Sequence, residues 1–162
     1  MNGKQSHYER VFKTVCKKYG ERSVYAMAAK MHDHVEDGLV TDDNLEQSIA
    51  DEWGLKKSNR KVKRAAKAIR ALTRDKNYTY RHYIKTLCHD RVARKVKLED
   101  LKDNALRKDS PPPGELLKRY EWAIDYIDKY EYIPINATVW GSVLLIGIGV
   151  CWFIVQFLCS LQ

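Results

Sequence analysis

The sequence predicts an all-α fold, a helical bundle over residues 1–133 followed by one C-terminal transmembrane helix within residues 134–162. Three observations predict it. Apolar residues recur at helical spacing between Gly, Pro and Asp-Gly breaks, and no stretch sustains the alternation of a half-buried strand. From Thr138 to Leu161 there is no charged side chain, and about 20 such residues span a bilayer core.

The first helix is expected from Ser6 to about Tyr19, with Val11, Phe12, Val15 and Tyr19 on one face and Gly20 ending it. A second should run from about Arg22 to His34, with Val24, Met27, Ala28, Met31 and Val35 inward, until Asp37-Gly38 breaks it. Asp43 followed by Glu46 is the expected cap of a third helix through Trp53, closed by Gly54. Ser58 is expected to cap a fourth, whose inward stripe is Val62, Ala65, Ala66, Ile69 and Leu72. Tyr80 to Leu87 and Val92 to Asn104 give two more. Pro111-Pro112-Pro113-Gly114 is a stiff break before a last helix from Glu115 to about Tyr130, because proline cannot continue a helix. Pro134 then separates that helix from the apolar run.

The chain carries a net charge of +8, all of it before the apolar run. Lys118, Arg119 and Lys129 precede that run and no basic residue follows it, so the positive-inside tendency puts the domain on the cytoplasmic side. An internal, C-terminal position argues for a tail anchor rather than a signal peptide. On that topology the glycosylation triplet Asn136-Ala137-Thr138 is a chance match. Cys16 and Cys88 lie far apart, and Cys151 and Cys159 fall in the anchor. No pair has zinc-ligand or redox spacing, which fits a reducing compartment.

The segment Met31-His32-Asp33-His34-Val35-Glu36-Asp37-Gly38 carries the most chemistry. His32 and Glu36 are four apart, as are Asp33 and Asp37, so each pair shares a face if the helix continues. A histidine among carboxylates at a buried helix end is costly unless a cation neutralises the cluster, and imidazole with carboxylate suits first-row divalent metals. Taken alone, the His32-Asp33 pair reads as part of a solvated acidic helix end. A second cluster adds weight. Ala93, Val96, Asp100 and Asn104 follow helical spacing, which turns Asp100 inward, whereas Glu99 and Asp103 read as surface acids.

His32-Asp33, Val35-Glu36-Asp37, Lys97-Leu98-Glu99-Asp100 and Asn104 together resemble the HD hydrolase domains of the alarmone enzymes, the Rel and SpoT class and their small stand-alone relatives. Ala71-Leu72-Thr73-Arg74 and Tyr80-Arg81-His82-Tyr83-Ile84 are similar to that family's linking segment, and the resemblance runs from about Ser6 to Tyr130. It implies a helical HD bundle with His7, His32, Asp33 and Asp100 as ligands to a divalent metal, manganese in this family. It implies further that Glu36 and Asp37 orient and deprotonate the attacking water, that Asn104 contacts substrate, and that Arg74 contacts phosphate. The reaction implied is removal of the 3′-pyrophosphate from guanosine tetra- or pentaphosphate. Departures accompany it: Tyr8 stands where the family commonly has proline, and only Met1 to Ser6 precede His7, where a longer helix and a basic loop are usual. Another nucleotide, such as a deoxynucleoside monophosphate, stays open as substrate.

From Lys56 to Arg74 there are nine basic residues and no acidic one. A solvated helix face is one reading, attraction of polyphosphates or anionic lipid headgroups by Lys56 to Arg64 another. Aromatic residues are not interleaved with these charges, which disfavours nucleic acid. His34, His82 and His89 read as ordinary polar or capping residues. Two function classes follow: a membrane-tethered nucleotide phosphohydrolase, or a non-catalytic basic module on a membrane anchor.

Overall fold

A computed structural model describes residues 6–107 and 110–132. The described residues form seven α-helices and one 3-10 turn, with no strand among them: α1 (His7–Tyr19), α2 (Val24–Lys30), the 3-10 turn (Asp42–Asn44), α3 (Leu45–Trp53), α4 (Arg60–Leu72), α5 (Tyr80–Leu87), α6 (Arg91–Ala105) and α7 (Gly114–Tyr132). The all-α expectation holds. No helix among the described residues is long and apolar enough to cross a membrane. The anchor expected over residues 138–161, with Pro134 before it, lies outside the described residues. Contacts divide the chain into a unit over Met1–Ile127 and another over Asp128–Gln162. Helices α1 to α6 and the greater part of α7 belong to the first unit.

Local chemistry sets the element ends. Glu9 in the first turn of α1 reaches back to accept from the Ser6 backbone N–H at 2.9 Å, one half of a capping box. Asn59, one residue beyond the expected Ser58, caps α4 by accepting from the Lys61 N–H at 2.8 Å. Thr79 caps α5, and the bounds expected for that helix are the bounds found. The third helix departs from expectation. Asp43 sits inside the 3-10 turn, and α3 starts at Leu45 without a side-chain cap bond. Gly54 closes it in the left-handed region at φ 59°, which L side chains adopt only at a cost.

The largest departure is in α2, which stops at Lys30 rather than reaching His34. Met31 takes φ −120° and ψ 15°, outside the α basin, and the chain proceeds to Gly38 as successive turns. Bonds from His34 N to Met31 O, from Asp37 N to Asp33 O and from Gly38 N to Val35 O hold those turns. His32 and Glu36 therefore do not share a helix face. Met31 and His32 are still buried, while Glu36 and Asp37 are exposed.

Helix α2 packs against α1, α4 and α6, and α1 and α4 also pack on α6. Ala26, Ala28 and Ala29 of α2 and Ala65, Ala66 and Ala68 of α4 are all buried, and such small side chains let backbones approach closely. Val11, Val15, Met27, Ile69, Val96 and Leu101 fill the space between. Each such aliphatic side chain contributes roughly 1.5–3 kcal/mol on burial. The α4 stripe is buried as its spacing predicts, from Val62 to Leu72. One end of α1, the exit of α2 and the last two turns of α6 thereby meet, and the titratable residues gather there.

Candidate metal centre

His7 opens α1, His32 and Asp33 follow the end of α2, and Asp100 and Asn104 lie one turn apart on α6. His7, His32 and Asp33 each present a donor atom within 4.8 Å of the others. The two imidazole rings stand edge to face, with centroids 5.9 Å apart. Asp100 lies beside this trio: its Oδ1 is 2.8 Å from His7 Nε2 and 4.0 Å from His32 Nε2. The same oxygen accepts from Asn104 Nδ2 at 2.8 Å, and Lys97 Nζ meets Oδ2 at 2.7 Å. Five of the residues expected at the site thus come together.

His32 is the most informative member. It is 3% exposed, and its Nδ1 stands 2.8 Å from the Ala29 carbonyl. A carbonyl only accepts, so Nδ1 must carry the proton, and in the neutral ring the lone pair falls to Nε2. Nε2 is fully buried and has no hydrogen-bond partner; Asp33 Oδ2 is 3.1 Å away but outside hydrogen-bonding geometry. Buried polar atoms without partners are rare because each costs about 1–3 kcal/mol. A cation placed against Nε2 and the neighbouring carboxylates would satisfy this one. The donor chemistry therefore fits a divalent metal.

Charge around the trio points the same way. Burial works against an imidazolium at His32, yet Asp33, Asp100 and the Ala29 carbonyl raise its pKa. Burial likewise opposes the charge on His7, and hydrogen bonds to Asp100 and Asp103 outweigh it and raise the pKa. Burial opposes ionisation of Asp33, but His32 beside it lowers its pKa. For Asp100, desolvation is outweighed by the Lys97 ammonium and both histidines, which hold its carboxyl well below the usual carboxylate range. Lys97 is half-buried, and Asp100 raises its pKa in return, against the desolvation that lowers it. Carboxylates that favour a proton on an imidazole nitrogen also favour a metal cation there.

Two acids read as surface residues turn out otherwise. Asp103 Oδ2 is 2.7 Å from His7 Nδ1, and Arg10 grips Asp103 through Nε at 2.9 Å and Nη2 at 2.8 Å. Glu99 is 7% exposed and takes Lys18 Nζ at 2.6 Å. Spacing held a signal for the first of these. His7 and Arg10 are three apart on α1, Asp100 and Asp103 three apart on α6, and the two pairs face each other across the helix contact.

The remaining expected residues stand on the adjoining loops. Glu36 Oε1 accepts from the Arg74 backbone N–H at 2.6 Å, joining positions 38 apart in sequence. Asp37 is exposed. The Arg74 guanidinium donates to the Tyr78 carbonyl at 3.3 Å and lies 5.7 Å from the centre of the Tyr80 ring. His82 stacks on Tyr78, with ring centres 4.7 Å apart. No protein-family model, curated protein or solved structure matches the chain, so the family suggested by its motifs stands on the residues themselves.

Proposed function

We propose that this chain is a metal-dependent nucleotide phosphohydrolase of the HD type, which removes the 3′-pyrophosphate of guanosine tetra- or pentaphosphate. The observation that carries the reading is the buried, unpartnered Nε2 of His32, with its tautomer set by the Ala29 carbonyl and with Asp33, Asp100 and His7 around it. The cofactor is a divalent cation, manganese by the family resemblance.

His7, His32, Asp33 and Asp100 would hold the ion. His7 would release Asp100 and turn Nε2 to the metal, keeping Nδ1–H on Asp103, which Arg10 holds in place. When bound, such a cation lowers the pKa of water and stabilises charge on phosphoryl oxygens. The chain's own groups do the rest. Lys97 keeps Asp100 ionised and oriented, and Asn104, one turn further, offers an amide to both Asp100 and substrate. Glu36 and Asp37 sit in the turns beyond the ligands, as exposed carboxylates able to accept a proton from water on its way to phosphorus. Arg74, tied to Glu36 through its backbone, provides a cation for phosphate on the same side.

The proposal extends to location: a tail anchor over residues 138–161 tethers the domain at the cytoplasmic face, and Lys56 to Arg64 contact anionic headgroups. Within α4, Arg60, Lys61, Lys63, Arg64 and Lys67 line one basic cleft with Val24, which supports that contact.

The test is pyrophosphate release from guanosine tetraphosphate by the full-length chain in detergent with manganese, beside an Asp33→Ala variant. Release that the variant lacks supports the reading. Equal inactivity of both, with intact helical circular dichroism, would overturn it in favour of a basic membrane-anchored binding module. Release from a deoxynucleoside monophosphate instead would keep the hydrolase and replace the substrate.

A further inference from the structure

A cavity of about 800 Å³ opens between α5 and the first half of α7, away from the histidines. Binding clefts for small organic ligands typically measure about 300–1,000 Å³. Its walls are aromatic and cationic. Arg81 of α5 lies over the Trp122 ring at 5.0 Å, and Arg119 of α7 lies over the Tyr80 ring at 4.7 Å, so each helix supplies one ring and one guanidinium. Among the described residues neither arginine meets a carboxylate; the one acid on the wall, Glu115, pairs with Lys118 at 3.1 Å. Stacking on a ring fixes a guanidinium without using its N–H donors, and its planar fork matches phosphate oxygens.

Tyr80 joins this cleft to the metal centre. Its hydroxyl is buried with no hydrogen-bond partner, and the Arg119 and Arg74 guanidinium groups lie 4.7 and 5.7 Å from the centre of its ring. Burial raises the Tyr80 pKa, with Lys97 and Asp100 near enough to act on it as charges. A ligand on Arg81 and Arg119 would therefore reach toward Asp100 past an aromatic surface and an unpaired hydroxyl.

We infer that the α5–α7 cleft is the nucleotide-recognition site, where Arg81 and Arg119, held on the rings of Trp122 and Tyr80, bind the 5′-phosphates. The identity of the ligand rests on the hydrolase reading above; the cleft and its unpaired cations do not.

Guanosine 5′-diphosphate, the product left when a 3′-pyrophosphate departs from the tetraphosphate, is the probe. Its binding to the full-length chain in detergent is measured calorimetrically in excess EDTA, with inorganic pyrophosphate and guanosine as separate probes. Binding of the diphosphate without metal is expected, at least tenfold weaker in Arg81→Ala and in Arg119→Ala, with both components binding less tightly than the whole. Both arginines are exposed, so these variants should keep their fold and their manganese affinity. Lys13→Ala, at an exposed position of α1, should bind like the parent. No binding by the parent, unchanged binding in both arginine variants, or loss in Lys13→Ala alone would overturn the assignment. The two readings fail separately: manganese binding lost with diphosphate binding intact removes the hydrolase, and the converse removes the cleft.

Discussion

Two charge clusters lie along α6 and its cap, and they are finished to different degrees. At its first turn, Asp90 accepts from Arg64 Nη1 at 2.7 Å and Nη2 at 2.9 Å, and from the N–H groups of Val92 and Ala93 at 3.0 Å each. Both of its oxygens are occupied, one by the arginine alone and one by the arginine and the helix end. Three turns later, Asp100 gathers His7, Lys97 and Asn104, yet a neighbouring nitrogen, His32 Nε2, makes no hydrogen bond and has only the Asp33 carboxylate beside it, at 3.1 Å. A saturated cluster fastens α4 to α6. On the proposed function, the second cluster keeps that nitrogen for a metal ion, at the stability cost of an orphaned atom. Saturation, more than charge or depth, separates the structural cluster from the chemical one.

The contrast can be broken most forcefully at Asp100. Asp100→Ala should strip the half-buried Lys97 ammonium of its counter-charge and His7 and Asn104 of a hydrogen-bond partner, and cost about 3–5 kcal/mol in urea unfolding. A loss under 1 kcal/mol would mean that Lys97 escapes to solvent and that the cluster is less enclosed than its geometry says. Asp103→Asn should weaken manganese binding about 10–100-fold by calorimetry while leaving the midpoint of unfolding nearly unchanged, because the carboxylate acts through the His7 ring. Unaltered affinity would reduce Asp103 to a partner of Arg10. Asp90→Ala should lower stability by about 1–2 kcal/mol through the lost helix cap and leave manganese affinity untouched. Smallest in stability, Asp33→Ala should shift the unfolding free energy by less than about 0.5 kcal/mol yet abolish manganese-induced thermal stabilisation. That pairing of small and complete effects is what an unfinished cluster requires.

Acid sharpens the same comparison. Burial opposes the charge on Asp90, but Arg64 and the helix N–H groups lower its pKa from the usual 3.8. A carboxyl that titrates lower in the folded than in the unfolded state contributes stability above the unfolded value and loses it as pH falls through the folded one. Unfolding free energy should therefore drop below about pH 4, with a shallower slope in Asp90→Asn. Equal slopes would place the acid sensitivity elsewhere.

Local signals in the sequence were legible where one residue decides the outcome. Gly54 marks a helix end by its backbone angle, and the α4 stripe follows from spacing alone. Spacing also put Asp100 inward and on the face that meets α1. Early termination of α2 was not legible. Nothing in Met31-His32-Asp33 forbids a helix, and the turns there are held by packing and by Glu36 reaching Arg74, 38 positions on. Asp103 and Glu99 were misread for a related reason: each finds its partner more than 80 positions away, on α1. A pairing of that kind is written in two helices at once and can be read from neither alone.

The series of turns from Met31 to Gly38 has a dynamic consequence. Single-turn hydrogen bonds near solvent open one at a time, whereas an amide inside α4 or α6 exchanges only when several bonds give way together. Deuterium should reach the amides of Asp37 and Gly38 well before those of Ile69 and Leu101. On the proposed function, Glu36 and Asp37 would sit on the exposed part of that strip, able to fluctuate, while the buried His32 ring is kept in place by the Ala29 carbonyl.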